Sequence, residues 1–219
     1  MKPFIALFLA LFVTHAFGAI QIDSSRVIYP GEYKSASLSI QNASKKSYIV
    51  QSWLDDDDSN RNKAMVVTPP LLKLLPDQSA VLRFIYSGTG LPTDRESVIW
   101  INVQEIPPRA SEPNVMQLAV RTRLKLFYRP VSLKTTLVKQ VEKLKFERRS
   151  DALVINNNGP LHINLSQLII RTPQGVEKKI PASMILPFSD EKLEFITGSK
   201  IVRLTYINDY GGIENIKFD

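Results

Sequence analysis

Few residues of this chain could do covalent chemistry. A general base at neutral pH is usually histidine, and the chain has two. His15 falls just after an apolar N-terminal run, in the segment expected to be removed on export, which leaves His162. It follows Gly159-Pro160 at a turn-to-strand position with no acidic neighbour, so a role at the surface or at a strand end is expected instead of catalysis. Ser189-Asp190-Glu191-Lys192 matches S-x-x-K, but the companion K-T-G and S-D-N motifs are missing, and the segment reads as a solvated turn. No G-x-S-x-G elbow and no phosphate-cradling glycine loop occurs. Cysteine is absent, which excludes thiol chemistry and Cys-based metal sites.

The run 55–58 (Asp55-Asp56-Asp57-Asp58) offers carboxylates of the kind calcium prefers. Its spacing is wrong for a calcium loop, because the sixth position is Asn60 or Arg61 where glycine is required and the twelfth is Val66 or Val67 where glutamate is required. A charged hairpin tip is the expectation, with no metal and no cofactor. Asn42-Ala43-Ser44 and Asn164-Leu165-Ser166 have the form of glycosylation sequons, a weak pattern that matters only in a eukaryotic secretory pathway.

The basic residues say more. Arg121, Arg123, Lys125 and Arg129 share one parity along a long predicted strand, 116–126 and onward, while Met116, Leu118, Val120, Leu124 and Leu126 share the other. The formal charge of +7 and a pI near 9.5 suit an acidic partner or plain solubility. Nucleic acid is not expected, because a stacking platform would interleave exposed aromatics with the charges and only Phe127 and Tyr128 are near.

The elements that must position these residues are strands. Period-two alternation marks 37–40, 48–54, 81–86, 98–103 and 116–126, separated by turn clusters such as Tyr29-Pro30-Gly31, Pro76-Asp77 and 88–92. A second series covers 152–156, 161–171, 177–180, 183–186, 193–196 and 201–207. Two sandwiches of ordinary size, joined near 131–138, fit this better than one. Segment 134–145 could pass for a short helix, but Thr135, Thr136, Val138 and Val141 are poor helix formers.

The N-terminus reads as a secretory signal: Lys2, an apolar run over 4–13, then Ala16 and Gly18 in an A-x-G pattern. The run is about half of the roughly 20 residues needed to span a bilayer, so no membrane insertion is expected. Cleavage is expected after Gly18.

The segment Leu91-Pro92-Thr93-Asp94-Arg95-Glu96-Ser97-Val98-Ile99-Trp100-Ile101-Asn102-Val103-Gln104-Glu105-Ile106-Pro107 resembles, position by position, the signature of the periplasmic pilus chaperones of the chaperone–usher pathway. Lys125-Leu126-Phe127-Tyr128-Arg129-Pro130 and Tyr206-Ile207-Asn208-Asp209-Tyr210-Gly211-Gly212 resemble two further motifs of that family, one in each half. The resemblance implies an all-β chain of two immunoglobulin-like sandwiches arranged as an L: a signal peptide over 1–18, an N-terminal domain over 19–135 and a C-terminal domain over 136–219. It implies a periplasmic, non-enzymatic chaperone that binds pilus or fimbrial subunits by donor-strand complementation and delivers them to an outer-membrane usher.

By the same resemblance, Arg26 and Lys125 match the pair that grips the subunit's C-terminal carboxylate. Met116, Leu118 and Val120 match the donor-strand residues, and Glu96, Arg129 and Asp209 match an ionic network joining the domains. The short 106–113 loop resembles the short-loop subclass, and the disulfide that relatives often carry is missing. Lys125 has the opposite parity from Met116, Leu118 and Val120, so a bulge or a turn of the strand into the cleft is expected. The alternative function is a structural pilus subunit or adhesin domain with a similar sandwich. Self-association of the free protein, hiding its edge strand, is a further option for such a chain.

Overall fold

The computed structural model describes residues 18–56, 60–110, 114–150 and 152–218. The proposed signal segment, apart from Gly18, therefore lies outside the described residues, as do Asp57 and Asp58. Each half is a pair of stacked sheets for one physical reason: a strand with alternating side chains can bury one face only against a second sheet.

In the first half, β1 (Ile20–Ile22), β3 (Ala36–Asn42), β5 (Met65–Thr68) and β7 (Ser79–Tyr86) form one sheet in the order β1-β3-β7-β5. The facing sheet has the order β2-β9-β8-β4-β6, with β2 (Arg26–Pro30), β4 (Tyr48–Asp55), β6 (Leu71–Leu74), β8 (Ser97–Ile106) and β9 (Arg121–Arg129). The alternation is plain in β3, which turns Ala36, Leu38 and Ile40 inward and Ser37, Ser39 and Gln41 outward. Those inward residues share a core with Val50, Leu82, Phe84, Ile99, Ile101 and Leu126.

In the second half, β10 (Lys145–Arg148), β11 (Ala152–Asn157) and β15 (Ser189–Glu194) make one sheet. The other has the order β13-β12-β16-β17, with β12 (Ile163–Arg171), β13 (Glu177–Pro181), β16 (Lys200–Ile207) and β17 (Ile213–Lys217), and the short β14 (Met184–Ile185) also pairs with β12. Its own core is built on Leu153, Ile155, Leu161, Leu168, Ile170 and Leu204. The chain thus carries two cores in two all-β sandwiches.

Several local expectations are corrected. A helix does form, α1 (Leu137–Val141), because Thr136 stands at its N-cap, where threonine is favoured, and accepts a hydrogen bond from Lys139 N. Ser189 to Lys192 is not a turn but part of edge strand β15, whose polar side chains face solvent while Leu193 points inward. Asp55 is buried at the end of β4 instead of lying on a hairpin tip, and accepts hydrogen bonds from Trp53 Nε1 and Asn102 Nδ2. The sequon Asn42 is fully buried and donates to the carbonyls of Lys46, Leu74 and Leu75, so it is a loop brace. The strand expected over 116–126 begins only at Arg121, and 115–120 runs outside any ladder.

Candidate functional site

The site is built around an incomplete strand pairing. β9 lies between β8 and β2, and β8 covers it along nearly its whole length, from Arg121 opposite Gln104 to Tyr128 opposite Ser97. On the other side, the parallel β2 reaches only Lys125 to Arg129, beginning with Arg26 opposite Lys125. From Arg121 to Leu124 one edge of β9 is uncovered among the described residues. An uncovered edge is a row of unpaired N–H and C=O groups that can template a further strand.

Upstream of that edge the alternating apolar residues are exposed: Met116 at 89%, Leu118 at 72% and Val120 at 46%. They are therefore not a core strand of this chain. Hydrogen bonds tie the segment to the end of β8 and the loop after it: Glu105 N donates to Val120 O at 2.9 Å, Gln117 Nε2 donates to Pro108 O at 2.6 Å, and Gln117 Oε1 accepts from Ala110 N at 3.3 Å. No sequence pattern marks Gln117 for these contacts.

The expected bulge near Lys125 is absent, because the β8–β9 register runs without a break. Strand parity alone resolves the difficulty: Leu126 and Tyr128 turn into the core, and Arg121, Arg123 and Lys125 turn to the outer face of the sheet. Arg26 shares that outer face, since its neighbours Val27 and Tyr29 are the buried ones in β2. Both cations thus stand where the open edge of β9 meets the start of β2.

Tryptophans support the basic row. Arg121 lies over Trp53 at 5.3 Å from the ring centroid, and Arg123 and Lys125 lie over Trp100 at 4.2 and 5.4 Å. Lys125 Nζ also reaches the second domain, with Asn164 Oδ1 at 2.9 Å and Met184 Sδ at 3.4 Å. Arg26 is the less satisfied cation: its Nε is buried without a hydrogen-bond partner. Burial pushes its guanidinium below the ordinary value, and the charge of Asp209 opposes that. A half-buried cation with an unused donor favours an anionic ligand.

Behind this pair, Glu96, Arg129 and Asp209 meet. Arg129 Nε donates to Glu96 Oε1 at 2.7 Å, and its two terminal nitrogens donate to Asp209 Oδ2 at 2.7 Å and Oδ1 at 2.6 Å. Burial opposes the Arg129 charge, but the hydrogen bonds to Asp209 and the charge of Glu96 more than offset this and raise its pKa above the ordinary value.

Sequence reasoning missed a fourth member. His162, expected at the surface or a strand end, does precede β12 but is buried, and both its backbone N–H and its Nδ1 reach Glu96 Oε2, at 2.7 and 2.8 Å. Its ring also packs on Phe127 at 5.7 Å. Glu96 itself is sealed, with a side-chain exposure of 0%. The turn bearing Asp209 approaches so closely that a Cβ on Gly211 would collide with Ser25 Oγ, beside Arg26, and Gly211 also takes a φ of +84° that favours glycine.

A cavity of about 810 Å³ lies elsewhere at the domain junction, against Arg61, Arg95, Glu96 and His162, and does not include Arg26 or Lys125. Among the described residues no group of three His, Asp or Glu side chains is gathered as metal ligands would be. The arrangement is suited to binding a strand and an anion.

Residues 19–134 match the model of the pili and flagellar-assembly chaperone PapD N-terminal domain, and residues 139–218 that of the pili assembly chaperone PapD C-terminal domain. The chain is 38% identical to the probable fimbrial chaperone LpfB of Escherichia coli O157:H7, over 96% of this chain and 93% of that protein. It is 39% identical to the chaperone protein LpfB of Salmonella typhimurium, over 94% and 91% of the two chains. Among solved structures it resembles the YadV chaperone, with a TM-score of 0.79 and 33% identity over 92% of this chain and 100% of that one. It also resembles a chain of the Salmonella enterica SafA pilin–SafB chaperone complex, with a TM-score of 0.77 and 27% identity over 94% and 99%.

Proposed function

We propose, for a chain that belongs to the PapD-type family of pilus-assembly chaperones, that the open edge of β9 and the two cations at its end are the place where it captures a pilus subunit. The protein is a periplasmic pilus chaperone, a non-enzymatic role. Its described surface offers the subunit a strand it can add to its own sandwich.

The observation that carries this reading is the alignment of β2 with the open edge. A subunit strand laid along Arg121 to Leu124 in the line of β2 runs parallel to β9, as β2 does. Its chain end then arrives at Arg26 and Lys125, where a terminal carboxylate meets two cations. The apolar side chains of Met116, Leu118 and Val120 are free to enter the groove that the subunit's missing strand leaves. The Glu96, Arg129 and Asp209 network holds the second domain beside that anchor. The domain boundary falls at 135/136, and the chain belongs with the short-loop subclass, although residues 111–113 of that loop lie outside the described ones. The loaded complex is handed to an outer-membrane usher.

Leu118→Glu tests the strand-lending reading. It is expected to weaken subunit capture at least ten-fold, because it drives a charge into an apolar groove. Ala119→Glu, on the opposite parity, is expected to leave capture within a factor of two or so of wild type. It is a cleaner control than any change at Gln117, whose amide is in use. Neither variant should alter the melting temperature, since Leu118 and Ala119 are exposed. Equal binding losses in the two variants, or a Leu118→Glu protein that is destabilised, would assign Leu118 to the chaperone's own packing.

Export is tested by intact mass. Protein recovered from the periplasm is expected to begin at Ala19, because Ala16 and Gly18 supply the small residues that the peptidase needs. A recovered chain that keeps residues 4–13 would contradict the exported reading.

A further inference from the structure

Asn164 stands in β12, in the second domain, paired with Met184 of β14. Its Oδ1 accepts a hydrogen bond from Lys125 Nζ at 2.9 Å across the interdomain cleft. An ammonium can only donate, so this contact fixes the orientation of the amide: Oδ1 faces the lysine and Nδ2 is left as a donor beside it. Among the described residues Nδ2 meets no acceptor within the chain. It is not one of the buried, unpartnered atoms, which are Arg26 Nε, Ser52 Oγ, Asn102 Oδ1 and Ser199 Oγ, so it reaches the water of the cleft.

We propose that Asn164 is the second domain's contribution to the carboxylate anchor: its Oδ1 holds the Lys125 ammonium in place, and its Nδ2 donates to the subunit's terminal carboxylate. The assignment rests on the reading of Arg26 and Lys125 as that anchor. The donor count supports it. A carboxylate has about four lone-pair sites, and here it meets the unused Nε of Arg26, the positive charge of Lys125 and the amide of Asn164. Trp100 meets the ammonium of Lys125 from the first domain, and Asn164 and Met184 meet it from the second. The terminus is therefore read by groups from both domains, and its capture depends on the spacing that Glu96, His162, Arg129 and Asp209 maintain.

The test compares a peptide copying the last strand of a co-purifying subunit, made as the free acid and as the C-terminal amide, against the full-length mature protein. Wild type is expected to prefer the free acid. Asn164→Ala should weaken the free acid roughly ten-fold and leave the amide unchanged, as one hydrogen bond to a charged group is lost. Asn164→Asp, which has the same shape, should abolish the preference, because its carboxylate occupies Lys125 and repels the terminus. Circular dichroism and melting curves identify folded variants, and the conservative Asp change keeps the test open if the Ala change perturbs β12. If both variants keep the wild-type ratio while Arg26→Ala loses it, Asn164 is overturned and the anchor stands. If Arg26→Ala keeps the ratio too, the anchor reading falls and takes this assignment with it. Equal losses for acid and amide would mean that Asn164 only supports the fold, which also overturns the proposal.

Discussion

Arg129→Ala is expected to destabilise the protein by about 3 kcal/mol, at the low end of the roughly 3–5 kcal/mol typical when one partner of a buried ion pair is removed. The side-chain exposures decide the class of effect: 17% for Arg129, 0% for Glu96 and 27% for Asp209. An exposed pair would cost under about 1 kcal/mol. The low end applies because two relief routes exist. Glu96 keeps both hydrogen bonds from His162, and Asp209 can recover water.

The loss should not be confined to stability. Arg129 is on β9 in the first domain, while Asp209 follows β16 in the second, so the guanidinium is a fastener between two domains that each have their own core. Denaturant unfolding of Arg129→Ala, Asp209→Ala and the double variant should give a coupling of roughly 0.5–3 kcal/mol, and X-ray scattering should report a wider spread of interdomain arrangements. Additive losses with unchanged scattering would mean that the network does not fix the domains.

What the sequence discloses about this network, and what it conceals, has a physical basis. Glu96, Arg129 and Asp209 could be named through motif resemblance, but no pattern around His162 announces a partner that lies 66 residues away along the chain. Burial of a histidine is a tertiary fact. Alternation was legible where strands are long and one-sided, as in β3, β7 and β8. It failed in β5 and β6, which have only four residues each, and in β15, an edge strand whose polar composition resembles a turn. Thr136 counts against a helix as an interior residue, but its place is the cap, where the same hydroxyl that disfavours the interior is an asset.

The donor segment carried a different ambiguity. Met116, Leu118 and Val120 continue the parity of Leu126, which is fully buried, so pattern alone reads the whole stretch as one core-facing strand. Only the end of pairing beyond Arg121 leaves them uncovered. Parity likewise made Lys125 look misplaced. In the proposed binding mode the incoming strand lies along the edge of β9, so groups on either face of the sheet are within its reach and no bulge is needed.

The second large effect concerns subunit binding. Removing either cation of the anchor leaves a desolvated carboxylate short of a partner, which should cost about 2–5 kcal/mol of binding, or roughly 30-fold and more in affinity at about 1.4 kcal/mol per factor of ten. Stability should change little. Arg26 Nε makes no hydrogen bond in the free protein, and its guanidinium is held below its ordinary pKa, first by burial. Arg26→Ala removes a strained charge and is the better behaved of the two variants. Lys125→Ala also loses the contact to Asn164 and should loosen the cleft slightly.

The measurement that bears most directly on the account is co-expression with a pilus subunit, followed by co-purification from the periplasm and an assay of subunit degradation, for wild type, Arg26→Ala and Lys125→Ala. Wild type is predicted to carry and protect the subunit, while both variants, folded by circular dichroism, lose the complex and leave the subunit to proteolysis. Variants that hold the subunit at wild-type strength, or a wild-type protein that carries none, would contradict capture at the cationic end of an open strand edge.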